Sequence, residues 1–325
     1  MAEQLEHQIA VIDYPGAQQS AIHGLIDLFE TANRLNPARD AGASRFSVLR
    51  LPADDCRGEY QCGLLALILP PCLTGTVEKG ALATLKEWIR ARHCEGTIAC
   101  SVCAGAFILA DADLLDDRPA TTHWVLAQRF ALEFPKVKLD QDKMLVDDGD
   151  VLTAGGVMAW TDLGLRLIER WMGKPAMLAT ARMFLIDPGG REQRFYSSLE
   201  PQLAHADAGI VKVQNWLALH YARSVRINTL ANLAGLGERT FLRRFQSATG
   251  QSPNRYLQQL RVARAKEQLE LDERPIDAIA ESVGYADVSA FRKIFQRTVG
   301  LTPGAYRQRF SVARGSALVP REFQR

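Results

Sequence analysis

Two groups of residues in this chain have types and spacing suited to chemistry. The first centres on Cys103. Thr97-Ile-Ala-Cys-Ser101 reads as a strand and Ala104-Gly-Ala-Phe107 opens a helix, so Cys103 falls at a strand-to-helix elbow. Such an elbow projects its side chain into the crevice at the carboxyl end of a sheet. The positive end of the helix favours thiolate there. His123, twenty residues on in Ala120-Thr-Thr-His-Trp124, is a candidate partner. The pattern leaves a buried, inert cysteine equally open. Cys100 makes a C-x-x-C with Cys103, but a pair spanning a strand end has poor geometry for a disulfide. The remaining cysteines, at 56, 62, 72 and 94, form no paired knuckles, so neither structural zinc nor a disulfide framework is expected. No metal and no cofactor is called for.

The second group is a duplicated set of basic helices. Gly250-Gln-Ser252-Pro253-Asn-Arg-Tyr256 recurs about fifty residues later as Gly300-Leu-Thr302-Pro303-Gly-Ala-Tyr306. Phe241 and Phe245 recur as Phe291 and Phe295, and Ala231 and Gly235 recur as Ala280 and Gly284. Each unit reads as helix, tight turn, helix: the small Ala lets two helices cross closely and the Gly supplies a left-handed turn. The second helices, 238–249 and 288–298, carry Arg239, Arg243 and Arg244 in one unit and Arg292, Lys293 and Arg297 in the other. Phenylalanines at i,i+4 anchor the opposite face and leave the cations outward. A helix of this width fits the major groove of duplex DNA, where Arg and Lys reach guanine edges or phosphates. Between the units, 255–271 reads as one helix of roughly 25 Å. It would hold the two recognition helices near the ~34 Å that separates successive major-groove faces.

These groups sit on different scaffolds. Before the repeat, strands at 8–14, 46–51, 64–69, 97–101 and 151–153 alternate with helices at 20–35, 77–92, 104–110 and 157–171. This predicts a parallel sheet covered on both faces. Turn-forming, polar sequence at 187–209 breaks the pattern, and everything after it has helical spacing. Charge divides at the same place. Residues 1–205 carry 20 Lys+Arg against 27 Asp+Glu, whereas residues 206–325 carry 19 against 10, so the basic half is the one suited to a polyanion. At 325 residues, two domains are the natural expectation. The 47% hydrophobic content allows packed cores, and no apolar run reaches the ~18 residues of a membrane helix. The polar, acidic start lacks the features of a signal peptide, so a soluble cytoplasmic protein is expected.

Residues 212–310 closely resemble the DNA-binding domain of the AraC/XylS transcription regulators. The resemblance rests on Ala280-Glu-Ser-Val-Gly284-Tyr285, Phe291-Arg-Lys-Ile-Phe295, Gly300-Leu-Thr-Pro303 and Tyr306-Arg307. It implies base-reading positions at Arg239 and Arg243 in the first unit and at Ser289 and Lys293 in the second. Thr240, Asp287, Val288 and Arg292 are neighbouring candidates, and Arg244 and Arg297 are phosphate or packing residues. Residues 7–185 resemble the DJ-1/PfpI-like (glutamine-amidotransferase-like) fold, most closely in Ser101-Val-Cys103-Ala-Gly-Ala-Phe107 and Ala120-Thr-Thr-His123-Trp124. That cysteine and the histidine at +20 match the family's nucleophile and imidazole positions.

The resemblances imply a fold class and a domain plan. A doubly wound, flavodoxin-like α/β domain over 1–190 senses an effector and dimerises. A linker spans 191–209, an all-α domain with two helix-turn-helix units spans 210–312, and a flexible tail spans 313–325. Regulators that combine these domains resemble sensors of amino acids, betaines or related amines. Double-stranded DNA, a small effector, RNA polymerase and a second copy of the chain are the implied partners. Tyr14, Pro70, Cys103, His123 and Trp124 are candidate pocket walls, with Trp124 offering a cation–π face to an amine.

Two departures weigh against catalysis. The start of the first helix, Gly16-Ala-Gln-Gln-Ser-Ala-Ile22, has no carboxylate where the family's enzymes often place one. The turn after the third strand is Leu69-Pro-Pro-Cys72, and proline has no N–H to offer an oxyanion. The expectation is a regulator, with a cysteine hydrolase or hydratase fused to a DNA-binding tail as one alternative and a ligand-free architectural DNA binder as another.

Overall fold

The computed structural model describes residues 6–36, 44–57, 63–75, 82–197 and 205–312. The expected tail at 313–325, Cys62 and the first residues of the helix expected at 77–92 lie outside these residues. The chain divides after Gln193 into two compact units.

In the first unit β1 (Glu6–Asp13), α1 (Gln19–Leu35), β2 (Arg45–Pro52), β3 (Ala66–Leu69), α2 (Ala83–Cys94), β4 (Ile98–Val102) and α3 (Gly105–Asp111) follow in order. Then come β5 (Pro119–Ala120), α4 (Ala127–Glu133), β6 (Lys138–Leu139), β7 (Leu145–Asp147), β8 (Val151–Ala154) and α5 (Trp160–Phe184). The main sheet has the order β2-β1-β3-β4-β8-β7, parallel except for β7, which pairs antiparallel with β8. This is the doubly wound arrangement expected from the β-α alternation, with one antiparallel edge strand added. β3, β4 and β8 are buried at every residue, as continuous apolar strands must be when helices cover both faces. The strand order reverses between β1 and β3, and right-handed crossovers then place helices on opposite faces. α1 packs on α5, and α2 on α3. The reversal opens a crevice at the carboxyl ends of β1 and β3, beside the end of β4 that carries Cys103.

α5 runs beyond the helix expected at 157–171. Its backbone breaks at Gly173 (φ 81°, ψ 170°) two residues before Pro175, so it is two helical segments joined at a kink. β5, β6, β7 and α4 were not expected. The three strands are only two or three residues long and have no readable periodicity.

The second unit is all helical: α6 (Ala208–His220), α7 (Ile227–Leu233), α8 (Glu238–Thr249), α9 (Pro253–Leu271), α10 (Ile276–Ser282), α11 (Val288–Val299) and α12 (Pro303–Phe310). The repeat is visible atom for atom. α8 and α11 end at Gly250 and Gly300, both left-handed (φ 73° and 85°). α9 and α12 then start at Pro253 and Pro303, with Ser252 and Thr302 accepting the N–H of Arg255 (3.4 Å) and Ala305 (3.2 Å). Each unit has its own core. Phe241, Phe245 and Tyr256 pack in series at 5.5 Å between centroids in one, and Phe291, Phe295 and Tyr306 at 5.6 Å in the other.

Of the segment expected to link the domains, Arg191–Gln193 pack within the first unit and residues 194–197 within the second. Arg191 pairs with Asp162, while Tyr196 packs on Phe310 at 5.3 Å and Arg309 lies 5.5 Å over the Phe195 ring. Residues 198–204 lie outside the described residues.

Lys266 of α9 is buried. It donates to Ser197 O (2.5 Å) and sits 5.3 Å from the Tyr306 ring centre. Burial pulls its pKa down from 10.5 to about 8, against a smaller opposing pull from Glu270. The unfolded chain therefore holds the Lys266 proton up to about 10.5 and the folded chain only up to about 8. Between those limits the unfolded state binds more protons, so this residue makes stability rise with pH, by about 3 kcal/mol in all. Tyr14 and Cys103, whose pKa values are raised by burial, act in the opposite direction. The measurable quantity is thus a difference. The stability of wild type relative to Lys266→Met, from denaturant melts at pH 7.5 and 10, is expected to increase with pH. A constant gap would contradict the assignment.

Candidate nucleic-acid interface and the cysteine elbow

The two turns that set the second helices are alike. In the first, Gly235 (φ 68°) donates to Asn232 O at 3.0 Å and Leu236 to Ala231 O at 2.9 Å. In the second, Gly284 (φ 90°) donates to Glu281 O at 2.9 Å and Tyr285 to Ala280 O at 3.0 Å. With Phe241 and Phe245 buried on one face of α8, and Phe291 and Phe295 on one face of α11, the other faces are open. Arg239, Thr240 and Arg243 are exposed on α8; Ser289, Arg292, Lys293 and Arg297 are exposed on α11. Among the described residues, Arg239, Arg243, Lys293 and Arg297 form no ion pair, so their charge is available to a polyanion. Arg292 pairs with Asp277 at 2.9 Å, but both side chains are more than half exposed and such a pair is weak.

Three of the residues named as DNA-binding candidates also make contacts within the protein, and for Arg244 this is the packing role, one of the two expected of it. The Arg244 guanidinium grips both Asp207 oxygens at 2.8 Å. Asp207 in turn caps α6 by accepting from Ile210 N at 3.2 Å, and the guanidinium holds its carboxyl below the usual range. Arg244 therefore fastens α8 to the start of α6. Asp287 caps α11, accepting from Ser289 N at 2.8 Å, and a carboxylate there repels phosphate. Val288 is half-buried against the second core.

α9, 19 residues and roughly 28 Å long, spans both cores. Its Arg261 donates to Tyr221 O (2.8 Å) and Arg223 O (2.9 Å) just after α6, and lies 5.3 Å over the Tyr285 ring beside the second turn. Within the helical unit, one guanidinium thus ties the leading helix of the first helix-turn-helix repeat to the turn of the second repeat. Nothing in the local pattern signalled this role.

In the first unit, Cys103 sits at the elbow with φ 55°, a left-handed backbone rare for a non-glycine residue. The loop after β3 is fastened to the loop after β1: Gln18 N donates to Pro71 O (2.7 Å), Leu73 N to Gly16 O (3.0 Å), and the Tyr14 hydroxyl to Pro70 O. Gly105 lies so close that an added Cβ would fall 2.6 Å from Leu69 O and 3.1 Å from Pro70 O. Tyr14, Pro70 and Cys103 are therefore brought together, with Cys72, which sequence reasoning overlooked, interacting electrostatically with both Tyr14 and Cys103.

The 121–124 loop reaches the elbow through Thr122, whose hydroxyl donates to Cys103 O at 2.8 Å. His123 and Trp124 are half-exposed, with their rings 5.7 Å apart. His123 Nδ1 accepts from Val125 N at 3.2 Å, which puts the proton of a neutral ring on Nε2. That tautomer is not set to receive a thiol proton at Nε2. The loop is held by buried Gln193. Its Nε2 lies 3.0 Å from Thr121 Oγ1, 2.8 Å from Thr122 O and 2.9 Å from Lys143 O, and its Oε1 accepts from Trp124 N at 3.0 Å.

Of the two states left open at the elbow, the buried thiol is favoured over the thiolate. Cys103 is buried, and burial pushes its pKa up to about 11 even though the Ala104 N–H favours the anion. The two proline carbonyls face Tyr14 and Gln18, and neither proline has an N–H for an oxyanion. Cys100 is wholly buried as a free thiol, with its pKa raised further. With its pKa pushed up to about 11, Cys103 is held as the thiol at pH 7. Iodoacetamide labelling followed by peptide mapping is therefore expected to leave Cys103 unmodified at pH 7 while exposed Cys94 reacts. Rapid labelling of Cys103 at pH 7 would mean that the elbow activates it.

Among the described residues no cluster of His, Cys, Asp or Glu is arranged to hold a metal, and no helix is long and apolar enough to cross a membrane.

Comparison with known proteins agrees with these two scaffolds. Residues 230–309 match a helix-turn-helix domain family, and residues 66–170 match the DJ-1/PfpI family. The chain is 25% identical over 234 residues to the HTH-type transcriptional regulator GbdR of Pseudomonas aeruginosa, covering 72% of this chain and 64% of GbdR. It thus spans a little under two thirds of that relative's length. It is 26% identical over 258 residues to the HTH-type transcriptional regulator ArgR of the same organism, covering 78% of this chain and 76% of ArgR. Among solved structures, Drosophila melanogaster DJ-1beta superposes with a TM-score of 0.46 at 18% identity, covering 56% of this chain and all of that one. The chain carries a DJ-1/PfpI-family domain followed by a helix-turn-helix domain of the AraC type.

Proposed function

We propose that this protein is a DNA-binding transcription regulator, with the second unit reading duplex DNA and the first sensing a small metabolite. The observation that carries the DNA reading is the duplicated turn that presents α8 and α11 with unpaired cations outward. The relatives GbdR and ArgR, both named as HTH-type transcriptional regulators, support it. The effector, an amino acid, betaine or related amine, occupies the crevice walled by Tyr14, Pro70, Cys103, His123 and Trp124. It acts by shifting the population of DNA-competent chains, to the extent that it binds one state better than the other. The protein works in the cytoplasm as a homodimer joined through its first unit, and RNA polymerase is a partner at the promoter. The raised Cys103 pKa and the proline turn favour this reading over a cysteine hydrolase.

Gln193 offers the route from pocket to tail. It is the last residue of the first unit, and its side chain holds the loop that carries His123 and Trp124. Gln193→Ala leaves buried groups of that loop unpaired and is expected to cost about 1–3 kcal/mol in the first unit. DNA binding without effector should persist while the effector's influence on it weakens. The test is footprinting of the full chain on its own promoter region, with and without a panel of amino acids and betaines. Sequence-specific protection that a panel member alters supports the reading; absence of any specific protection at low salt contradicts it.

A further inference from the structure

The two helix-turn-helix repeats are built alike, yet they are covered differently at one point. An added Cβ at Gly250, which ends α8, meets nothing within 4 Å. At Gly300, which ends α11, it would overlap the Arg194 guanidinium and fall 2.9 Å from Phe195 Cε1. The end of α11 is therefore covered by chain that precedes α6, and so the whole first repeat, in sequence. Phe195 is buried there, with the Arg309 guanidinium 5.5 Å over its ring. Tyr196 meets Phe310, the last ring of α12, edge-on at 5.3 Å, and its hydroxyl accepts from Arg309 at 3.4 Å. Ser197 O accepts from buried Lys266 of α9 at 2.5 Å. Arg194–Ser197 thus straps three helices of the second repeat, α9, α11 and α12.

A helix that reads base edges must be held to within about 0.5 Å of its working position. The two reading helices reach that by different means. Arg244 fastens α8 to the start of α6 through Asp207. In the register that aligns Phe241 with Phe291, the equivalent of Arg244 is Ile294, which packs on the second core and cannot make that clasp. The strap stands in its place. We propose that Arg194–Ser197 positions α11 for DNA reading, with Phe195 as the positioning residue, and that the first unit exerts its control through this strap on the second repeat. The control rests on the reading of the first unit as a sensor. Gln193, which holds the 121–124 loop, shares one 3₁₀ turn with Phe195, so a shift of that loop is passed to the end of α11. The half-site read by α11 is then the regulated one, and that read by α8 is constant.

Hydrogen exchange on the full-length protein tests the strap without DNA. Phe195→Ala should speed exchange in α11 and α12 by about tenfold or more and leave α7 and α8 within about twofold. Tyr196→Ala, which removes a half-exposed ring and spares the buried one, should give the same pattern at smaller amplitude. Gln193→Ala should also speed exchange in α11 and α12 and not in α7 and α8. Equal changes in the two repeats, or none in the second, overturn the positioning role; no change in α11 and α12 with Gln193→Ala overturns the control. Fluorescence anisotropy on operator duplexes with one half scrambled separates positioning from stability. The halves are assigned by which of them Arg243→Ala and Lys293→Ala no longer discriminate. Phe195→Ala should weaken binding about tenfold where only the α11 half is intact and less than about twofold where only the α8 half is intact. The same loss on both duplexes overturns the proposal. A wild-type chain that binds no duplex specifically refutes the regulator reading itself, while the exchange pattern still decides whether the strap holds α11.

Discussion

Replacing Arg243 and Lys293 together by alanine is expected to abolish specific DNA binding at moderate salt while leaving the fold intact. Both side chains are exposed on the faces of α8 and α11 opposite the buried phenylalanine pairs, and neither forms an ion pair among the described residues. Each, if it makes a base contact in the major groove, contributes about 1–3 kcal/mol, and positions on separate helices should add to about 2–6 kcal/mol. Arg297→Ala is the informative contrast. A phosphate contact there would weaken binding about equally on all sequences and lower the salt dependence by about one counterion. Arg244→Ala should behave differently again. It frees Asp207 and loosens the joint between α8 and α6, so its effect should appear as a loss of stability before any loss of sequence preference. Fluorescence anisotropy against specific and scrambled duplexes over a salt series separates these outcomes. A double variant that still discriminates the two duplexes would remove α8 and α11 from the role of readers.

The features that were legible in the sequence are those whose causes are local. A proline after a capping Ser or Thr, a glycine after a helix and a phenylalanine pair one turn apart each act within a few residues. The repeat near fifty residues therefore revealed both helix-turn-helix units and the connecting helix. The elbow at Cys103 was readable for the same reason. The features that were missed depend on distant partners. Arg244 meets Asp207 across 37 residues, and Gln193 meets the 121–124 loop across about 70. Neither residue type announces such a partner. The direction of the Cys103 shift was hidden because it is a balance: a backbone N–H that favours the thiolate is local, whereas the burial that outweighs it comes from the assembled crevice. The kink in α5 was half legible. Gly173 and Pro175 stop a helical reading at Trp171, but the chain resumes its helix on the far side.

The equivalent glycines of the two turns make a sharper test of how the second unit holds together. Both have positive φ, 68° at Gly235 and 90° at Gly284, so alanine is strained at either. Their surroundings differ. An added Cβ at Gly235 meets nothing within 4 Å, whereas at Gly284 it would fall 2.5 Å from Ala222 O and 2.9 Å from Ala222 Cα. Those are backbone atoms of a segment pinned by Arg261, which grips the carbonyls of Tyr221 and Arg223 on either side. The neighbour cannot swing away as a flexible side chain would. Gly235→Ala should therefore cost about 1–2 kcal/mol, the penalty of the left-handed backbone alone. Gly284→Ala should cost about 2–5 kcal/mol, strain and overpacking together. Relief of the clash requires the second turn to move off the end of α6, which breaks the stacking of Arg261 on Tyr285 and unlocks α11 from α8. Gly284→Ala should thus lose affinity for a two-site operator more steeply than for either half-site, with Gly235→Ala close to wild type in that ratio. Equal costs for the two substitutions in denaturant melts would mean that the turn is set by its dihedral angle alone and that the Ala222 contact does not fix the spacing of the recognition helices.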